Sequence, residues 1–476
     1  MSLSNPTSPT RTEQDALGQL EIPKEAYYGI QTARAVENFP ISGWKPFESF
    51  VTATILIKKA AARTNRALEV LDSRIADAIE AACDEVLQGK LREQFVVDPY
   101  QAGAGTSHNM NANEVLANRA IELLGGAKGD YSVVHPNDHV NMGQSTNDVI
   151  PTAIRLATLE EGSKLADVLR SLASGFFDKA SEFDGLVKSG RTHLQDAVPI
   201  RLGQEFGGYA EATSKNLARL EAAMAEMTEI GLGGTAAGTG LNASPGYRAQ
   251  VVQELSVLMA GVLRRDARLH PTRNYFEAMQ SMSPFVSLSG VLRTIATDMI
   301  RICSDLRLLT SGPNTGLAEI NLPAVQPGSS IMPGKVNPVM AEMATMVCYQ
   351  VVGNDAVITA AAQAGQLELN VMMPVIAFDL VLSLRLLTNA LGVLNSRCIA
   401  GITANGERCR WYAEHSVALV TALSPRIGYS RAAELAKEAM RTGSTIREVM
   451  TKSGLFSKEE TDRLLDGRGM TEPPDV

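Results

Sequence analysis

Long runs of helical periodicity, several of them approaching or exceeding about thirty residues, constrain the fold of this chain more than any other feature. Apolar residues recur at helical spacing over 47–70, 72–89, 111–124, 149–182, 203–229, 247–264, 276–311, 340–364, 375–399, 406–421 and 429–442. These segments are rich in Ala, Leu, Met, Glu, Lys and Arg, whereas alternating, strand-like runs are few and short. Rods of this length bury their apolar stripes only against other rods, so the pattern predicts a mostly α chain built on a bundle of long helices. At 476 residues the chain has room for two to four domains and a large core. Apolar surface in excess of what one chain can cover implies oligomerisation.

The net charge of −8 and pI near 5.5 describe an acidic protein without the basic stripe that nucleic acid or an anionic membrane requires, so neither is expected as a partner. An acidic protein that binds an anion must build positive potential locally, which directs attention to Lys335 and His193. The five cysteines, Cys83, Cys303, Cys348, Cys398 and Cys409, are odd in number, widely spread and without a C-x-x-C pair. That usage favours reduced thiols in a cytoplasmic protein over a disulfide framework or a zinc site. The opening MSLSNPTSPTRTEQD holds no apolar stretch of signal-peptide length. The most apolar long segment, 375–394, is interrupted by Asp379, Arg385 and Asn389, so a buried helix is expected there rather than a membrane span.

The joints between the rods carry the chemistry. Residues 328–338, GSSIMPGKVNP, hold two glycines, two prolines and adjacent serines, a composition that rules out a stable helix or central strand and displays Ser329, Ser330, Lys335 and Asn337 on a loop. Two hydroxyls, a cation and a carboxamide suit binding of an anion while a hydroxyl does proton chemistry; the alternative is a Gly/Pro hinge between helices. QAGAGTSHNMN at 101–111 and NMGQSTND at 141–148 place Thr106, Ser107, Ser145 and Thr146 just ahead of helices, where they act either as plain N-caps or as anion donors. GRTHLQDA at 190–197 sets His193 beside Arg191 and Thr192, and imidazole is the side chain whose ordinary pKa lies near neutrality. A fifth segment, GLGGTAAGTGLNA at 231–243, has no ionisable residue and reads as close backbone packing. No H-E-x-x-H, nucleophile elbow, Walker loop or Rossmann glycine pattern occurs, so neither a metal nor a dinucleotide is expected. Thr106, Ser145, Thr146, Asn147, Thr192, Ser330, Lys335 and Asn337 together form a donor-rich set that fits a small dicarboxylate.

All four chemical segments, in this order, resemble the aspartase/fumarase superfamily, and the likeness runs from AYYGIQTARAVENFPISG at 26–43 to GITANGERC at 401–409. FVVDPYQAGAGTSHNMNANEV at 95–115 is similar to the aspartase branch, whereas fumarases carry a Trp-Gln-Thr-Gly-Ser-Gly-Thr-Gln version; AYYGIQT and GQLELNVM at 365–372 lean the same way. The resemblance implies a three-domain fold, with a mainly helical N-terminal domain over 1–146, a central long-helix domain over 147–401 and a small C-terminal domain over 402–476. It also implies a homotetramer whose sites draw on three subunits, and a reversible deamination of L-aspartate to fumarate and ammonia without a cofactor. Ser329 would be the base that takes the C3 proton. Thr106, Ser145, Thr146 and Ser330 would bind the β-carboxylate, Lys335, Asn337 and Thr192 the α-carboxylate, and Asn147 and His193 the amino group, with Glu342 partnering the histidine. Three positions depart from the aspartase pattern: Met373 replaces Glu, Asn314 replaces Arg, and His108 occupies a variable site. Fumarate hydratase, a lyase for a substituted aspartate, and a non-catalytic protein on the lyase scaffold, as in the lens crystallins of the superfamily, are the alternatives.

Overall fold

The computed structural model describes residues 9–263 and 268–472, so residue 264 of the 247–264 segment and the outermost residues of the expected 1–146 and 402–476 divisions lie outside the described residues. Among the described residues there are sixteen α-helices: α1 (Ile30–Asn38), α2 (Glu48–Ala67), α3 (Ser73–Leu87), α4 (Thr106–Leu123), α5 (Thr146–Glu182), α6 (Leu202–Ala225), α7 (Tyr247–Leu263) and α8 (Tyr275–Gln280). They continue as α9 (Ser283–Leu309), α10 (Val339–Gln363), α11 (Met373–Arg397), α12 (Gly406–His415), α13 (Ser424–Ile427), α14 (Tyr429–Thr442), α15 (Ile446–Ser453) and α16 (Lys458–Leu464). Strands among the described residues are confined to two-stranded ladders, chiefly the hairpins β1 (Thr10–Asp15)–β2 (Gly18–Pro23) and β3 (Val187–Thr192)–β4 (Gln195–Arg201). The mostly α expectation holds.

Where boundaries differ from the sequence reading, local chemistry gives the reason. The expected helix over 276–311 breaks at Ser281–Met282, because Pro284 has no N–H to donate and its ring would collide with the preceding turn of a continuous helix. The 406–421 segment ends at His415, and Ser416 caps a separate 3₁₀ stretch, Val417–Leu423. Helix α4 begins at Thr106, earlier than periodicity suggested, since its first turn is polar. The short α1, α13, α15 and α16 fall outside the periodic segments. Helices α15 and α16 nevertheless carry full capping boxes, Thr445 with Glu448 and Ser457 with Glu460.

The chain divides into two compact units. The first comprises residues 1–166, 218–294 and 349–388. Its N-terminal core gathers Ile55, Ile79, Cys83, Val86, Val115 and Leu116 from α2, α3 and α4, all fully buried. At the edge of that core the Glu114 carboxylate accepts from the backbone N–H of Gly29, Gln31 and Thr32 and from the Thr32 hydroxyl, so a buried anion closes the N-terminus of α1.

The second unit comprises residues 167–217, 295–348 and 389–476. Its small C-terminal cluster packs Leu423, Leu435, Ile446, Met450 and Leu465. Helix α11, whose residues 373–388 belong to the first unit, spans the apolar 375–394 segment and is long and apolar enough by composition to cross a membrane, and most of that stretch is buried in the protein. All five cysteines are free and buried, and burial pushes the Cys398 and Cys409 thiols up to about 11.

Candidate active site

Residues 328–338 form an exposed loop folded back on itself. The Gly328 N–H donates to the Lys335 carbonyl at 2.9 Å, the Lys335 N–H to the Met332 carbonyl at 3.3 Å, and the Asn337 carboxamide to the Gly328 carbonyl. Position 328 has to be glycine, because a Cβ there would run into the Lys335 carbonyl oxygen. Inside this turn the Ser329 Oγ accepts from two backbone N–H groups, that of Ile331 at 3.2 Å and that of Met332 at 2.9 Å. Donors aimed at a hydroxyl oxygen stabilise its alkoxide, so the loop chemistry favours a serine that gives up its proton. Ser329, Met332 and Lys335 face a cleft of about 500 Å³. The Lys335 ammonium and the Ser330 hydroxyl are exposed.

His193 sits at the tip of the β3–β4 hairpin. Thr192 pairs with Gln195, so His193 and Leu194 are the two turn residues, and both adopt positive φ, 55° and 60°. Turns of this kind favour Asn-Gly, and a His-Leu pair here carries backbone strain that displays the imidazole and the Thr192 hydroxyl to solvent. Below the tip, the fully buried Glu319 carboxylate takes an ion pair from Lys188 at 2.7 Å and one from Arg191 at 3.0 Å. Glu205 joins Lys188 at 2.9 Å, and burial holds its carboxyl above the usual range against the pull of that lysine. The Arg191 guanidinium also lies 5.1 Å from the centre of the Tyr412 ring. One buried carboxylate thus anchors both cations of the strand that leads into the His193 turn.

The first unit holds the remaining donors. Thr106 opens α4 after Ala104 (φ 63°) and Gly105 (φ 87°), and the Ala104 N–H is tied to the Val371 carbonyl at 2.9 Å. Position 105 needs glycine both for that φ and because a Cβ would sit 2.9 Å from Ile150. At the start of α5 the Ser145 hydroxyl accepts from the Asn147 N–H, and the Asp148 carboxylate reaches back to the Ser145 N–H at 2.9 Å. The other Asp148 oxygen accepts from Gly233 and Thr235, each at 2.9 Å, while the Asn147 carboxamide donates to the Ala236 carbonyl at 2.8 Å. The glycine-rich 231–243 segment therefore orients the Asn147 turn, beyond the packing role expected of it. Complete burial pushes Asp148 up to about 6 against these donors, and pushes Lys58, also fully buried, down to about 7 against the pull of Asp148.

Comparison with known proteins places this architecture in a family. Residues 18–353 match a family model described as Lyase, and residues 419–472 match one described as Fumarase C C-terminus. The chain belongs to the aspartase/fumarase superfamily. Its relatives include the aspartate ammonia-lyase of Pseudomonas fluorescens, 49% identical over 476 residues, with 99% of this chain and 98% of the relative covered. The fumarate hydratase class II of Halobacterium salinarum is 51% identical over 464 residues, with 97% of each covered. A solved fumarate lyase:delta crystallin from Brucella melitensis superposes with a TM-score of 0.93 at 50% identity, covering 98% of this chain and 100% of that one.

Both compact units of this aspartase/fumarase lyase carry candidate residues. Thr106, Ser145, Thr146 and Asn147 lie in the first unit, and Thr192, His193, Ser329, Ser330, Lys335, Asn337 and Glu342 in the second. Among the described residues, no hydrogen bond or ion pair within the chain joins His193 to Glu342 or to the Ser329 loop; Glu342 is half-buried in the first turn of α10. Of the three departures from the aspartase pattern, Met373 is buried at the start of α11 and Asn314 is exposed. His108 is buried, stacked 4.5 Å from Phe50, and shares a 3.0 Å hydrogen bond with Thr54. Burial pushes His108 down to about 3, so it stays neutral. Sequence reasoning missed Lys58, Asn109 and Glu319 as site support. The available signal was a lysine pair inside the apolar run TILIKKAAA, and a buried lysine needs partners.

Proposed function

We propose that this superfamily member catalyses the reversible deamination of L-aspartate to fumarate and ammonia, through C3 proton abstraction and an enediolate intermediate. The observation that carries this reading is the pair of backbone N–H groups on Ser329 Oγ, an arrangement that suits an alkoxide base. The C3 proton is weakly acidic because its removal places two charges on one carboxylate, so the barrier falls chiefly through donors aimed at those oxygens. Thr106, Ser145, Thr146 and Ser330 supply such donors, while Lys335, Asn337 and Thr192 hold the α-carboxylate. Asn147, whose NH₂ is committed to Ala236, offers its carbonyl oxygen to the substrate ammonium, and His193 faces the same group with Glu342 behind it. A closing loop that expels water strengthens each of these contacts.

The test is fumarate absorbance with L-aspartate, L-malate and N-substituted aspartates in parallel. Fumarate from aspartate but not from malate is the expected result. The reverse would assign a hydratase, the second reading favoured by the likeness to the Halobacterium protein; no product from any substrate would leave a non-catalytic scaffold.

The protein is a cytoplasmic homotetramer with divisions at 1–146, 147–401 and 402–476. Among the described residues the five helices of 24 residues or more all lie between Thr146 and Arg397, and α10 leaves Met346, Tyr349 and Val357 exposed for a partner copy. Each site takes the Thr106 and Ser145 segments, the His193 hairpin and the Ser329 loop from three subunits. Inactive Ser329→Ala and Thr146→Val proteins, unfolded together and reassembled, are therefore expected to regain activity, with about a quarter of sites fully native if mixing is random. Mixed tetramers, verified by tag, that stay as inactive as their parents would place the whole site within one subunit.

A further inference from the structure

Lys58 is fully buried on α2, yet its ammonium is fully partnered. It donates to Asn109 Oδ1 at 2.7 Å, Asn141 Oδ1 at 2.9 Å and Gln144 Oε1 at 3.0 Å. An ammonium has three protons and no lone pair, so each carboxamide must turn its oxygen toward Lys58 and its NH₂ away. The outward NH₂ of Asn109 donates to the Thr146 Oγ1 at 3.1 Å and to Asn141 Oδ1 at 3.3 Å. That of Asn141 donates to the Gln144 carbonyl at 3.2 Å, and that of Gln144 to the Val140 carbonyl at 3.0 Å. Every bond in the network runs outward from Lys58. The Thr146 oxygen already accepts, and among the described residues its own O–H proton has no acceptor, so the hydroxyl is left to donate to something outside the chain.

We infer that Lys58 is a positioning residue: through the Asn109 carboxamide, its buried ammonium sets the Thr146 hydroxyl as a donor toward the substrate carboxylate. This rests on the proposed role of Thr146 and adds the element that fixes its polarity. A threonine hydroxyl on its own donates or accepts according to its surroundings, and one that accepted from a neighbour's NH₂ only some of the time would otherwise point away from the carboxylate. In its charged form, which burial leaves in the majority only below about pH 7, Lys58 has nothing with which to accept and removes that freedom. It also explains the burial of a lysine in an otherwise apolar run, which packing alone would penalise. Asp148 has the complementary role on the backbone side of the same turn, since its two oxygens are occupied by the N–H groups of Ser145, Gly233 and Thr235.

The test is a double-mutant cycle read by the inhibition constant of succinate, the aspartate skeleton without its amino group. In the native background, Thr146→Val is expected to weaken succinate about 30-fold, the loss of one charge-assisted hydrogen bond. Asn109→Asp keeps size and the bond to Lys58 but accepts from the Thr146 hydroxyl instead of donating to it, turning the hydroxyl inward. In that background, and in Lys58→Met, adding Thr146→Val is expected to cost less than about threefold. Circular dichroism and native mass establish that each variant is folded, and Asn109→Asp decides the matter should Lys58→Met fail to fold. A Thr146→Val penalty as large in both altered backgrounds as in the native one would overturn the inference and leave Lys58 a structural residue. An unchanged succinate constant for Thr146→Val alone would overturn the role of Thr146 itself, and this inference with it.

Discussion

Ser329→Ala is expected to lower kcat by about three decades or more, roughly 4 kcal/mol of transition-state stabilisation, with the helical fold and native mass unchanged. The hydroxyl is half-exposed on a loop, so its removal opens no core cavity and costs little stability. What disappears is the oxygen on which the Ile331 and Met332 N–H groups converge at 3.2 and 2.9 Å. Those donors stabilise a negative charge at Oγ, and Lys335, in the same loop, adds positive potential. Without an oxygen there is no group at that point to take the C3 proton. Because the donors to the substrate carboxylates remain, the loss should fall on kcat while succinate still binds. Near-normal turnover in a folded Ser329→Ala protein would assign the proton transfer to another residue.

Glu319→Ala is expected to destabilise the protein by about 3 kcal/mol, read as a lower urea midpoint at fixed protein concentration. The carboxylate is fully buried and pairs with Lys188, itself buried, and with Arg191. Truncation leaves two cations without the anion they share, and uncompensated buried charge is the costly outcome. Glu205 retains its 2.9 Å bond to Lys188, which places the loss at the lower end of the range for broken buried pairs. Glu319→Gln, which keeps oxygen and shape but removes the charge, should fall between the two. Activity should drop further than stability alone requires, because the strand that Glu319 anchors through Arg191 ends at Thr192 and leads directly into the His193 turn. A change below about 1 kcal/mol for Glu319→Ala would mean that the cations find equivalent partners in water.

The long helices were legible because periodicity over about fifteen residues or more outweighs local exceptions: α2, α3, α10 and α11 begin and end within two residues of the expected 47–70, 72–89, 340–364 and 375–399, apart from the last turn of α2. The Ser329 loop was equally legible, since its glycines and prolines forbid the alternatives. The β3–β4 hairpin was not. GRTHLQDA carries none of the Asn-Gly or Asp-Gly signals of a two-residue turn, and the structure instead forces His193 and Leu194 into the left-handed region. Glu319 was invisible for a different reason. Nothing near AEIN marks that residue as the one that enters the core, because its partners, Lys188 and Arg191, lie some 130 residues earlier in the chain.

What the sequence determined by itself is the set of rods, the loops between them and the chemical inventory of those loops, because helix periodicity and Gly/Pro conformational limits act over a few residues. What only the tertiary structure decided is direction and charge state: which way the Asn109 and Asn147 carboxamides face, whether the Thr146 hydroxyl is free to donate, and which buried charges are compensated. A hydrogen bond has polarity only once both partners are in place. For Lys58, Asn109, Thr146 and Asp148 those partners come from α2, α4, α5 and the 231–243 loop, each pair brought within 3.1 Å by folding alone.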